Sequence, residues 1–171
     1  MKKILLLPML AMFIVFTACG QGDKSKRPSP PAKATETLKS GAVVVIDYSQ
    51  PAVKGRTIGK DVEPMPGKVW RTGANEATVF EVNKDVKVEG KALPAGKYGL
   101  YTINNGDDWT IIFNKKWNQW GTEYNEGDDA LRVNVKGTKA PKFSERMTFA
   151  VDKDGKVALL WGDKEVDFMV Q

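Results

Sequence analysis

Five polar side chains near the middle of the chain have the types to build a binding site: Lys54, Arg56, Arg71, Asn75 and Glu76. They fall in two segments, Lys54-Gly55-Arg56 and Trp70-Arg71-Thr72-Gly73-Ala74-Asn75-Glu76-Ala77-Thr78, which flank one irregular connection. Arginine presents a rigid fork of donors that matches a carboxylate or a phosphate, so two arginines with an amide and a carboxylate suit an anionic or hydroxyl-rich ligand. The alternative is architectural: Arg71 and Glu76 pair with each other, Asn75 caps a turn and Gly73 supplies an unusual backbone angle. A second group, Trp109, Trp117, Trp120 and Tyr124, lies near Asn114, Asn118, Gln119 and Glu123. Exposed indole faces beside amides suit stacking on sugar rings, and Trp117 and Trp120 are the candidates there. Otherwise these rings plug one end of a core, as Trp70 and Trp161 are expected to do.

Catalysis finds less support. The chain has no histidine, which removes the Ser-His-Asp triad and imidazole metal sites. Glu76, Glu81, Asp108 and Glu123 leave carboxylate-based glycan hydrolysis as an alternative, although no spacing sets two of them at the needed separation. Asp107-Asp108 and Asp128-Asp129 lack the spacing of a calcium loop and read as solvated hairpin tips. No catalytic residue, metal ligand or cofactor is assigned.

The start of the chain addresses these residues to a compartment. Lys2 and Lys3 precede an apolar run, Ile4 to Phe16, interrupted by Pro8, and Thr17-Ala18 lead to Cys19, the one cysteine of 171 residues. A basic start, a run too short to span a bilayer and small residues before a cleavage point describe a signal peptide over residues 1–18. Cys19 immediately after it resembles a bacterial lipoprotein signal, in which the cysteine carries the lipid. The expectation is a membrane partner through that anchor, in the envelope of a Gram-negative bacterium. Gly20 after the cysteine suits the outer membrane, facing the periplasm or the surface. Residues 19–39, rich in Lys, Ser and Pro, read as a flexible tether. Losing Lys2 and Lys3 takes the formal charge from +5 to +3. That is too mild for a nucleic-acid partner, and the charges are interleaved as on a solvated surface.

Residues 40–171 then form one domain. A β-branched run over 42–49 is followed by clean apolar alternation over 77–83, 97–103 and 130–136 and by strand-like apolar runs over 109–114, 147–151, 157–161 and 165–170, with a short run at 86–88. Gly- and Asn-rich turns such as Asn104-Asn105-Gly106 separate these runs. No amphipathic helix interrupts them. Eight or nine short strands of this kind predict an all-β protein, an antiparallel β-sandwich or jelly-roll-like barrel. The long connection over residues 50–68 is expected to be functional or to cover one end of the sheet.

From Asp47 onward the chain resembles a bacterial family known as domain of unknown function 2911. Tyr48-Ser49 with Pro51, Lys54-Gly55-Arg56 and Val69 to Thr78 carry the resemblance, with Gly90-Lys91, Leu93 to Tyr98, Trp109-Thr110 and Gln119-Trp120-Gly121. It implies an exported, often lipidated, β-rich protein and carries no activity. Together these observations favour a lipid-anchored, non-enzymatic envelope protein that binds a small molecule, a glycan or a protein. Its alternatives are the glycan hydrolase and a purely structural envelope protein.

Overall fold

The computed structural model describes residues 23–171, so the signal segment and Cys19 lie outside the described residues. Ten strands follow: β1 (Pro31–Thr37), β2 (Val43–Ser49), β3 (Val69–Trp70), β4 (Thr78–Val82), β5 (Val86–Val88), β6 (Lys91–Leu93), β7 (Gly96–Asn105), β8 (Asp108–Asn114), β9 (Asp129–Val151) and β10 (Lys156–Met169). Seven form one path, β1-β2-β4-β7-β8-β9-β10, with β3 paired to β7 and β5-β6 as a separate hairpin. Every pairing between named strands is antiparallel. The fold is therefore all-β and antiparallel, as the alternation predicts, and the path curls into a half-barrel.

Two long strands produce the curl. The first part of β9 pairs with β8 through Lys136, and the rest pairs with β10 from Gly137 onward. The sheet bends where the register shifts on either side of Gly162, whose φ of +63° favours glycine. Past β2 the chain meets the far part of β9: Val53 N donates to Glu145 O at 2.9 Å and Met147 N to Pro51 O at 3.0 Å. These bonds draw the two ends of the path together.

Inward residues fill the concave side. Val44, Ile46 and Phe80 are fully buried, and Phe80, Phe113 and Phe168 form a triangle with ring centres 5.0, 5.9 and 6.2 Å apart. That triangle joins β4 and β8 to β10. Tyr48 meets Phe149 edge-on at 5.1 Å and joins β2 to β9. Each such ring contributes about 1.5–3 kcal/mol through burial.

Two expectations need correction. Residues 31–37, expected in a flexible tether, form β1, seven residues in register with β2 from Pro31↔Ser49 to Thr37↔Val43. Ala32 and Ala34 pack against the core while Lys33 and Thr35 face out. Small side chains make an edge strand with little apolar signal, and Pro31 at its first position gives up no ladder bond. The domain thus starts well before residue 40. The separate runs 130–136 and 147–151 are one strand, because Pro141 falls between Lys139 and Ser144, the paired residues on either side of a register shift.

Candidate functional site

The stretch Trp70–Thr78 links β3 to β4 as a tight knot. Thr72 (φ +48°) and Asn75 (φ +62°) hold left-handed backbone, a strained choice for a β-branched residue. Buried bonds keep it there: the Thr72 hydroxyl lies 3.2 Å from that of Thr102, and Thr78 Oγ1 donates to Thr72 O at 2.8 Å. The Trp70 indole donates to Gly73 O at 3.1 Å. A Cβ on Gly73 would sit 2.8 Å from Thr78 Oγ1 and 3.1 Å from Ser49 O, so only glycine fits.

The loop after β8 folds back over the convex face. Tyr101 and Ile112, both fully buried, form a second small core with Ala77, and the Tyr124 ring covers Tyr101 at 4.9 Å. Asn114 fixes the loop by donating to Asn125 O at 2.9 Å and Asp129 Oδ1 at 2.8 Å. Tyr124 donates its hydroxyl to Asp129 at 2.8 Å and accepts from Arg132 at 2.7 Å. Burial, with the Asp129 carboxylate beside it, pushes the Tyr124 hydroxyl up to about 12.

The knot and this loop meet edge to edge. Ala77 N donates to Gln119 O at 3.1 Å, and Gly121 N donates to Asn75 O at 3.2 Å. Glu76 faces Trp120 across the bridge between them. Two cavities open along this contact. Glu76 lines one, a cleft of about 320 Å³, together with Trp117, Asn118 and Gln119. Arg71 lines the other, of about 190 Å³, with Glu63, Trp70, Gly121, Thr122 and Tyr124.

Glu76 is already satisfied. Arg27 Nη1 donates to both its oxygens, at 2.8 and 3.0 Å, and Lys24 Nζ lies 3.1 Å away. Burial pushes the Glu76 carboxyl up, but its own backbone N–H, Arg27 and Lys24 outweigh that and hold it at about 2. A carboxylate so held is no general acid. Asn75 Nδ2 adds a bond to Ser29 O at 3.1 Å, so the motif clamps the chain entering β1.

Arg71 is the opposite case. Its Nε is buried without a hydrogen-bond partner, and among the described residues the guanidinium makes no ion pair. Its stem packs so tightly on the loop that a Cβ on Gly121 would lie 2.0 Å from Arg71 Cδ. Its positive charge acts to lower the Tyr101 hydroxyl, against the larger upward push of burial.

The remaining expected residues scatter. Lys54 and Arg56 line neither cavity. Lys54 N donates to Glu145 Oε1 at 2.8 Å, while Arg56 closes its own turn by donating to Ala52 O at 2.6 Å and Val53 O at 3.1 Å. Trp117 lines the Glu76 cleft, with Lys97 Nζ 5.2 Å above its ring. Trp120 is exposed and lines neither cavity, and Trp109, Trp70 and Trp161 are core residues. Glu123 lines neither cavity, so the Glu76–Glu123 pair considered for glycan hydrolysis does not share one. Asp107 pairs with Lys164 and Asp108 with Lys136, in keeping with solvated hairpin tips. Lys24, Arg27 and Glu63 are site residues that the sequence concealed. The first two sit in a basic run that reads as solvated, and Glu63 sits between prolines and glycine with no periodic pattern.

Comparison with known proteins adds a family and no activity. The model of a family described as protein of unknown function (DUF2911) matches residues 29–170. The AP2/ERF and B3 domain-containing transcription factor RAV1 of Arabidopsis thaliana is 29% identical over 104 residues, which cover 60% of this chain and 28% of the plant protein. The chain thus spans little more than a quarter of that relative's length. No solved structure matches.

Proposed function

We propose that this chain, which belongs to the family of proteins of unknown function DUF2911, is a non-enzymatic, lipid-anchored envelope protein that binds a small anionic ligand at Arg71. The observation that carries the binding is the buried Arg71 Nε with no partner. A buried donor without an acceptor costs about 1–3 kcal/mol, towards the lower end for a partly buried side chain. A carboxylate or phosphate in the adjoining cavity would remove that penalty and meet the guanidinium charge with one bidentate contact. The run from Lys2 to Cys19 supports the anchor. Glu76 is then the clamp for the entering chain rather than a ligand-binding group.

A second reading places a sugar on Trp117. Its favouring observation is that this ring is exposed and lines the larger cleft beside two side-chain amides.

Thermal shift on the purified chain separates the two. At a hundredfold excess over Kd, a native-state ligand adds about 2.7 kcal/mol, roughly 5–11 °C in midpoint for a domain of this size. Acetate, phosphate and sugar acids are expected to raise the midpoint, and Arg71→Met to cancel the rise. A rise with neutral sugars that Trp117→Ala cancels would move the site to the larger cleft. Silence from every compound would refute small-ligand binding at both.

A further inference from the structure

Resting on the anion reading of Arg71, we infer that this cavity selects a zwitterion, a small molecule carrying both an anionic group and an ammonium. Two residues of opposite charge, Arg71 and Glu63, line the same cavity of about 190 Å³. Among the described residues they form no ion pair with each other, so their carboxylate and guanidinium stand more than 4.0 Å apart.

Neither side chain is placed to swing across and neutralise the other. Glu63 Oε2 accepts from Met65 N at 2.6 Å, and Glu63 O accepts the Trp161 indole N–H at 2.8 Å. Trp161 is a buried core residue, so it fixes the backbone from which the carboxylate projects. Arg71 is fixed by the fit of its stem against Gly121. The cavity therefore keeps a separated plus and minus in the unliganded protein.

That arrangement discriminates. A ligand with only a negative charge gains Arg71 but meets the Glu63 carboxylate, and like charges set against each other are costly. A ligand with only a positive charge meets Arg71. A molecule with both ends satisfies both groups and adds no net charge to a partly buried site. Val69 and Trp70 give the cavity an apolar wall for the short carbon skeleton between the charges. The volume equals about six waters' share of the liquid and is below that of drug-sized sites. The occupant is therefore small. An amino acid and an ethanolamine-type lipid headgroup share this chemistry.

Titration calorimetry on the full mature chain, with a matched set of probes, tests the inference. The set is acetate, methylammonium, alanine and the phosphodiester glycerophosphoethanolamine. At least one zwitterion is expected to bind tenfold or more tightly than acetate, and which of the two wins separates a free amino acid from a headgroup. Glu63→Gln keeps an acceptor for Met65 N and is expected to fold with an unchanged midpoint. It should bring the zwitterion and acetate to parity. Arg71→Met should abolish binding of both. Equal binding of acetate and the zwitterions in the wild type, unchanged in Glu63→Gln, would overturn zwitterion selection and leave the anion reading standing. No binding by any probe, or methylammonium binding that survives Arg71→Met, would overturn both.

Discussion

Replacing Arg71 by methionine should stabilise the unliganded protein while removing its binding. The stem of Arg71 packs against the backbone at Gly121, and methionine keeps an unbranched chain of similar length in that contact. What it removes is the charge and the buried Nε that has no acceptor. An orphaned donor costs about 1–3 kcal/mol, and the lower end applies here because the side chain is only partly buried. A gain of about 1 kcal/mol corresponds to a rise of about 2–4 °C in midpoint. Arg71→Ala should not share it. Alanine discards two packed methylenes worth about 0.8 kcal/mol each, which offsets the gain and leaves the midpoint level or slightly lower. Differential scanning fluorimetry or calorimetry without ligand compares the three proteins directly. A midpoint that falls by more than about 2 °C in Arg71→Met would mean that the guanidinium holds the fold together. The binding argument built on its lack of a partner would then fail.

Other perturbations address the clamp, the core and the anchor. Glu76→Gln should release residues 23–30, so trypsin cuts after Lys24 and Lys26 several-fold faster. The global midpoint should move by no more than about 3 °C, since exposed ion pairs contribute little. Because the folded Glu76 carboxyl is held at about 2, below its ordinary 4.5, its contribution is complete above pH 4.5 and fades as pH falls towards 2. Acid unfolding of Glu76→Gln should lack that part of the slope, and an identical pH profile would sink the pairing. Phe168→Ala opens the aromatic triangle and should cost about 3–5 kcal/mol, roughly 6–20 °C; a loss under 2 °C would place the core elsewhere. Cys19→Ser should end incorporation of an alkyne-tagged fatty acid in cells, and undiminished labelling would remove the proposed anchor from Cys19.

Period-two alternation made the central strands legible, because β2, β4, β7 and β8 each put large apolar residues on one face. It missed β1, whose inward residues are alanines, and β6, where Lys91-Ala92-Leu93 reads as a turn. It also broke β9 at Pro141, since nothing local reveals that a proline coincides with a register shift. The site was half legible. Arg71, Glu76 and Trp117 line cavities, but Arg71 and Glu76, five residues apart, enter different ones. The left-handed turns at Thr72 and Asn75 divide them, and sequence distance carries no information about that. Lys54 and Arg56 have the right charges yet line neither cavity, and Arg56 closes its own turn. Arg27 lies far from the motif in sequence, and tertiary structure alone brings it there, while Glu63, seven residues before Trp70, sits in an irregular stretch with no periodic pattern to mark it.

The stacking of Arg71 on Gly121 ties together two positions that are fifty residues apart. Any side chain at 121 would occupy the space of the Arg71 stem, and any bulkier branching at 71 would collide with the 121 backbone. Descent should therefore have treated them as one character. A lineage that loses the glycine must also shorten residue 71 and surrender the unpaired guanidinium. A lineage that abandons the arginine releases position 121 from its constraint. A sister sequence with an alanine at the second place and an arginine retained at the first would have to carry its loop on a different path.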